Sequence, residues 1–348
     1  MLQPRAKITF TRDDGAYQEF MVFNNINITK TYEMLTNRCS VVFPKKYQDR
    51  FKDYFAGATP IFKRGDKIII ESGYYPNLSK DFEGYITDVN TNVPIEVICE
   101  DTMYLLKKHT FNIPATVPLI TTGVSGQYLK RPKVNTTALK KIQLKELLNI
   151  IIPDSIELDT DIIDIDLGKV VFNRMTPCEI LQVLKERYGL FSYFIDTRLY
   201  VGFQSNALTT NEYQYKMERQ VLNSNNLFYK RAEDIPIKVV CISISPTNVQ
   251  TVKEAGDEGG EVRTYHYYNV SDEALTQYAD ERLNEVRYTG FYGNIVTFLE
   301  PKIQHGDRAN ITSTKIPELN GVYLVKSVNI DIGVRGGARQ IIELGQKV

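Results

Sequence analysis

The residues whose types could do chemistry are three histidines, four cysteines and a short run of aspartates. An imidazole serves as a general base or a metal ligand when a carboxylate or thiolate stands close by. His109, His266 and His305 have no such neighbour at ligand spacing. Cys39, Cys99, Cys178 and Cys241 form no CxxC pair, and read as small buried hydrophobes. Asp159, Asp161, Asp164 and Asp166 supply oxygens for Ca²⁺, but the glycine and the distant glutamate of an EF-hand loop are missing, so a solvated strand edge is the expectation. A Ser-His-Asp set is recognised by geometry and stays open at this stage, although no G-x-S-x-G elbow occurs.

Other motifs reduce to turns. Arg64-Gly65-Asp66 spells an adhesion tripeptide, yet its Gly-Asp sits where a turn must precede a strand. Val334-Arg335-Gly336-Gly337-Ala338-Arg339 lacks the Lys-Ser/Thr ending of a phosphate loop and reads as a hairpin turn. Lys130, Arg131, Lys133, Lys140, Lys141 and Lys145 make a basic cluster that fits a partner subunit, nucleic acid or a solvated face. The expectation is therefore no catalytic, cofactor-binding or metal-binding residue, no cofactor and no enzyme.

The elements that position these residues are mostly strands. The chain has 348 residues, 43% hydrophobic and 24% charged, which suits two or three folded domains. Lys plus Arg and Asp plus Glu both number 42, so no global field draws the protein to an anionic membrane or to specific nucleic acid. Neither a signal peptide nor an apolar membrane-spanning run is read in it, which gives the expectation of a soluble product of the cytoplasm.

Period-two alternation over Lys7–Phe10 and Tyr17–Phe23, around Asp13-Asp14-Gly15, predicts a hairpin; strands follow near 27–30, 39–43, 67–71, 84–90 and 95–100. Tyr47, Phe51, Tyr54 and Phe55 stand at helical spacing after Pro44, predicting a short helix there. Two further helices are expected over Thr137–Ile152 and from Thr176, where Pro177 and Glu179 follow a capping residue and Gly189 ends the run. A hairpin around Asp196-Thr197-Arg198, a regular strand at Ile237–Ile244, a mobile loop at 255–260 and a helix near 271–288 complete the pattern.

A weak internal repeat ties the ends together. Arg64-Gly65-Asp66 leading into Lys67–Ile70, then Gly84-Tyr85, is echoed by His305-Gly306-Asp307 leading into Arg308–Ile311, then Gly321-Val322-Tyr323. In each copy a Gly-Asp turn opens a strand and a second Gly opens another. Two β-barrels of one kind fit this; the alternative is that such turns are merely common in β-proteins. The expected fold class is α+β, mainly β: two similar antiparallel tube-type β-barrels at 1–105 and 206–348, with an α+β insert domain at 106–205 and a helical excursion near 271–288.

The run GDKIII…FEGYITDV…PIEVICEDTMYLLKK resembles the first barrel of phage tail hub proteins, the late control D group of contractile tails. TPCEILQVLKERYGLFSYFIDTRLYVG resembles their insert, and the stretch from Asp272 to Gly345 resembles their second barrel. The resemblance implies a homotrimer whose six barrels form a ring between a six-fold tail tube and a three-fold spike. It further implies tail tube, tail spike and other baseplate proteins as partners, and a place in a virion tail or injection particle assembled in the bacterial cytoplasm. The close at Val348 implies that the spike is a separate chain. The competing class is a particle-associated carbohydrate-binding or peptidoglycan-degrading β-protein, which needs exposed aromatic platforms or paired carboxylates in a cleft.

Overall fold

A computed structural model describes the chain except residues 1–3, 45, 50–51, 56–61, 91–93, 114–140, 163, 169, 196, 203–210, 225, 235, 246–247 and 334–336. The first ninety-odd residues alternate apolar and polar side chains, and they form strands for that reason. These are β1 Pro4–Thr11, β2 Tyr17–Phe20, β3 Asn25–Thr31, β4 Arg38–Phe43, the hairpin β5 Lys46–Asp49 and β6 Lys52–Phe55, β7 Lys67–Tyr74, β8 Ser79–Asn90 and β9 Ile95–Glu100. The helix expected at 46–55 is thus a hairpin, with Tyr47 opposite Tyr54 and Lys46 opposite Phe55. Aromatic residues favour strands as well as helix faces, so their spacing at 47 and 54 fits a cross-strand pair equally well.

The middle holds β10 Phe111–Ile113, α1 Leu144–Ile151, β11 Glu157–Leu158, β12 Phe172–Met175, α2 Pro177–Tyr188, β13 Phe191–Ile195 and β14 Arg198–Gly202. α2 follows its sequence signals closely. Thr176 and Glu179 make a reciprocal capping box, Pro177 opens the helix, and Gly189 closes it in the left-handed conformation at φ 69°. α1 begins at Leu144, later than the apolar pattern suggested; Asp164 Oδ1 accepts from the Lys145 N–H at 3.0 Å and supplies the cap that Gln143 lacks. Residues 137–140 of that expected helix lie outside the described residues.

The remainder comprises β15 Glu212–Lys216, β16 Val221–Asn223, β17 Leu227–Lys230, β18 Ile237–Ile244, β19 Gln250–Gly256, β20 Glu261–Tyr268, α3 Asp272–Val286, β21 Gly290–Phe298, β22 Arg308–Thr312, β23 Gly321–Gly333 and β24 Gly337–Lys347. The segment expected to be mobile is tied down: the Asp257 and Glu261 N–H groups donate to Ile237 O and Pro236 O at 3.0 and 2.9 Å, carrying the chain across the end of β18.

Both ends of the chain enter one 14-stranded sheet. Its path runs β16-β21-β24-β23-β3-β4-β9-β8-β7-β1-β2, with β17 on β21 and with β22 bridging β15 and β23. The sequence led to two barrels; among the described strands the pairing path stays open, and no ladder closes either half upon itself. Instead β3 and β23 join the halves directly, Thr31 opposite Ser327 through Asn25 opposite Gly333. One core follows, in which Ile8, Ile28, Ile70 and Val97 of the first half are buried together with Ile295, Ile311, Val325 and Ile342 of the second.

A second core lies beside it. Leu147, Leu181, Leu184 and Leu199 pack there with Ile237, Val239, Cys241, Leu275 and Ala279, residues that the sequence division assigned to the second barrel. The excursion β18–α3 therefore leans on the insert. Its three strands, ordered β19-β18-β20, include a parallel pair, because the 256–260 turn carries β20 to the far side of β18.

Ile28 and Ile330 face each other in the ladder between the halves, at 0% and 3% exposure. Ile28→Ala should lower unfolding free energy by about 2–5 kcal/mol in urea titrations, as for other large-to-small core changes. Tyr17→Ser, at a residue 71% exposed, should shift it by less than about 0.5 kcal/mol.

Candidate assembly site: the repeated turn and the joined halves

The Gly-Asp turns make the same four hydrogen bonds. At the first, Gly65 N–H donates to Ile86 O at 2.8 Å, Ile86 N–H to Asp66 O at 2.9 Å, Asp66 N–H to Lys63 O at 3.1 Å, and Lys63 N–H to the Asp66 carboxylate at 3.0 Å. At the second, Gly306 N–H donates to Val325 O at 2.8 Å, Val325 N–H to Asp307 O at 2.9 Å, Asp307 N–H to Gln304 O at 3.3 Å, and Gln304 N–H to the Asp307 carboxylate at 2.8 Å. Gly65 and Gly306 sit at φ 97° and 88°, which an L side chain rarely adopts. Asp66 and Asp307 are buried, each with its carboxylate spent on a backbone N–H.

The correspondence extends past the turns. Ile86 pairs with Cys99 and Val325 with Leu344, and the next residue along, Thr87 or Lys326, is passed over by a register shift in both ladders. The second glycines do not correspond. Gly84 lies opposite Ile68, two residues past Asp66, whereas Gly321 lies opposite Ile311, four residues past Asp307. Gly84 is interior to β8, where a Cβ would meet Glu100 O at 2.1 Å; Gly321 opens β23 against the Lys347 side chain.

The two turns differ in what covers them. His305 is 6% exposed, with its ring 5.4 Å from Tyr193 and 6.4 Å from Tyr32. Burial holds its imidazole neutral, with a pKa pushed down to about 3. A small cavity of about 60 Å³ beside it is lined in part by Lys30, Asp81, Asp101 and Gln304. Arg64, the counterpart of His305, is exposed and borders an open recess of about 240 Å³ with Tyr104, Lys107 and Lys108.

A buried ion pair adds to the join. Lys302 Nζ lies 2.7 Å from Asp81 Oδ1 and donates to Ser72 O and Ser79 O at 2.7 and 3.0 Å. The Asp81 side chain is 2% exposed and that of Lys302 18%, and the Ser72 hydroxyl also donates to Asp81. Nearby, Gln340 Nε2 donates to Phe298 O and Pro301 O at 3.0 and 2.6 Å, and Tyr215 Oη to Pro301 O at 2.8 Å.

The remaining candidates have structural work. Asp159, Asp164 and Asp166 accept from nearby backbone N–H groups, and Asp166 also pairs with Lys141 at 3.3 Å. Lys130, Arg131, Lys133 and Lys140 of the basic cluster, and residues 334–336, lie outside the described residues. The four cysteines are free; Cys39 and Cys99 face each other between β4 and β9, and burial raises both thiols. Among the described residues no group of three or more His, Cys, Asp or Glu is placed to hold a metal, and no helix is long and apolar enough to cross a membrane.

A mainly β protein with a helical insert and an internally repeated turn-and-strand unit is the class these observations define. Its fold is that of phage tail proteins. It matches the 43 kDa tail protein of prophage MuSo2 from Shewanella oneidensis over 98% of each chain, with TM-score 0.58 and 14% identity. It matches the tail protein from Neisseria meningitidis MC58 over 99% of this chain and 97% of that one, with TM-score 0.58 and 13% identity. The E. coli c3393 protein, a type VI secretion component described as similar to T4 tail proteins gp27 and gp5, matches over 94% of this chain and 74% of its own, with TM-score 0.54 and 9% identity. No protein-family model and no curated protein matches the sequence.

Removing one member of a buried pair leaves an uncompensated charge, so Lys302→Met should cost about 3–5 kcal/mol in denaturant titration. Adding Asp81→Leu to it should recover much of that loss.

Asp101 offers a pH test. Burial raises its pKa from 3.8 to about 7, opposed by N–H donors from Asn37 and Met103. The folded state then holds a proton that the unfolded state releases, so this group's contribution is largest below about pH 4 and is lost as pH rises towards 7. Asp101→Asn should therefore raise Tm relative to the parent more at pH 8 than at pH 5; equal shifts would refute the assignment.

Proposed function

We propose that the chain is a structural hub protein of a phage or phage-like contractile injection particle, in which three copies form a ring joining a six-fold tail tube to a three-fold spike. The observation that carries this reading is the repeat in hydrogen-bond register: two like units in each of three copies supply six similar positions around an axis, matching six-fold and three-fold neighbours at once. The tail-protein fold supports it. The repeated units lie within 1–105 and 206–348, around an insert at 106–205, and Gly65, Asp66, Gly306 and Asp307 shape the frame without taking part in chemistry. Gly84 and Gly321 serve close packing at separate places.

The partners on this reading are two further copies of the chain, a tail tube protein, a tail spike protein and other baseplate proteins, in a tail or baseplate assembled in the bacterial cytoplasm. No cofactor, membrane or specific nucleic acid takes part. A carbohydrate-binding role draws on one observation, the exposed rings of Phe228 and Tyr292 with centroids 5.7 Å apart.

Co-expression with the neighbouring spike protein, followed by light scattering and particle imaging, tests the proposal. Three copies per spike are expected. One or two copies would overturn the hub, as would peptidoglycan cleavage whose turnover is lost on changing one Asp or Glu. Glycan-array binding abolished by Phe228→Ala would favour the carbohydrate role.

A further inference from the structure

The register of the two halves assigns each strand of one to a strand of the other. Ile86 answers to Val325, so Asp88, Val89 and Asn90 of β8 answer to Ser327, Val328 and Asn329 of β23. Cys99 answers to Leu344; their partners on the next strand are Cys39 of β4 and Gly293 of β21. Those in turn pair with Ile28 of β3 and Leu227 of β17. Asn27, Thr29, Lys30 and Thr31 thus answer to Asn226, Phe228, Tyr229 and Lys230.

Within the chain β3 lies along the second stretch of β23, placing Thr31 opposite Ser327, Lys30 opposite Val328 and Thr29 opposite Asn329. The corresponding stretch of β8 begins where its ladder with β7 ends, at Tyr85, and among the described strands its backbone continues in a ladder with β9. The corresponding edge of β17, away from β21, carries no strand among the described residues.

The geometry points to a second copy of this chain at both edges: β17 of one copy adds antiparallel to residues 88–90 of the next. Lys230 then stands opposite Asp88, Tyr229 opposite Val89, and Phe228 opposite Asn90, repeating between copies the join that β3 and β23 make within one. This rests on the ring reading and specifies its interface.

Three features of the side chains agree. Val89 and Val328, Asn90 and Asn329, and Asn226 and Asn27 are identical pairs at corresponding places. Inside the chain Asn27 Nδ2 donates to Asn329 Oδ1 at 3.0 Å, and Asn226 of one copy would meet Asn90 of the next in the same relation. Lys230, whose Nζ donates to Val286 O at 3.0 Å within the chain, would place a positive charge in register with exposed Asp88, where like charges would be unfavourable. Phe228 and Tyr229 are 53% and 43% exposed, on an edge of the kind that proteins cover. β17 and β8 lie towards opposite ends of the sheet path, so the contact is head-to-tail, and three copies close it into six joins, three within chains and three between.

Disulfide trapping tests the register in the full chain, co-expressed with its spike protein. Neighbouring antiparallel pairs alternate between wide and close Cα spacing, about 5.5 and 4.5 Å, so one of two adjacent pairs suits a disulfide. The double variants Val89→Cys with Tyr229→Cys, and Asn90→Cys with Phe228→Cys, are oxidised and run without reductant. At least one should give covalent dimers and trimers, while Asp13→Cys with Tyr229→Cys gives none. Independently, Phe228→Asp should raise the trimer dissociation constant at least ~10-fold without changing the monomer's circular dichroism. Trimers by light scattering with no cross-link at either pair, or with Phe228→Asp assembling normally, would overturn this interface and leave the hub standing. Absence of any trimer, alone or with spike, would overturn both.

Discussion

The fold depends on one ladder, in which β3 and β23 pair over Asn25–Thr31 and Ser327–Gly333. Residues some 300 positions apart meet here, so the chain must close its longest loop before the large core is complete. Among the described residues the two halves share one buried cluster, in which Ile28 and Ile330, Val97 and Ile342 lie together. The Lys302–Asp81 pair and the Asn27–Asn329 hydrogen bond are polar contacts across the same division. Polar contacts of this kind contribute little net stability, but the part-buried Asn27–Asn329 bond lies on this ladder and would lose its partner in a slipped register. A one-residue slip would also turn Ile28 out of the core.

The second core explains why the chain leaves the sheet between β17 and β21. α3 packs Leu275 and Ala279 into the cluster that holds α2 and β14, and its Arg282 donates to Tyr267 Oη at 3.1 Å and to Glu285 at 2.6 Å. The excursion thus fastens the second half to the insert. Tyr193 of the insert and Tyr32 of the first half then close over His305. Three stretches far apart in sequence converge on the second turn, and that turn is the covered one.

Much of this was legible in the sequence where one residue type has one physical reason to be present. Gly65 and Gly306 need positive φ, Asp66 and Asp307 need a backbone donor, and Thr176-Pro177-Glu179 can hardly be read except as a helix start. Position along a strand was harder to read. Gly84 and Gly321 follow their turns at similar intervals, but the intervening loops differ in length, and spacing along the chain does not report register across a ladder. The hairpin at 46–55 departs from the helix expected there because aromatic spacing alone does not separate a helical face from a cross-strand pair. The shared cores were invisible for another reason: alternation shows that Val239 and Ile342 are buried, and not against what.

The covering of the two turns shows how a repeated frame acquires unlike surfaces. The frame is three backbone hydrogen bonds and one from a backbone N–H to the Asp66 or Asp307 carboxylate, a positive-φ glycine, and a register shift one residue beyond Ile86 and Val325. Side chains outside it were free to diverge, since changing Arg64 for His305 leaves every backbone bond intact. At the first turn, cationic Arg64, Lys107 and Lys108 border a recess of about 240 Å³, and Tyr104 stacks on Tyr85 with centroids 5.6 Å apart. At the second, a neutral imidazole replaces the guanidinium under two tyrosines, because a charge buried there without a partner would be costly. An arginine at 305 would reopen the second turn to solvent, and a histidine at 64 would gain nothing from Tyr32 or Tyr193. The difference between the turns therefore follows from their neighbours, and the likeness from three backbone hydrogen bonds and a shared aspartate that an exchange of Arg64 for His305 leaves in place.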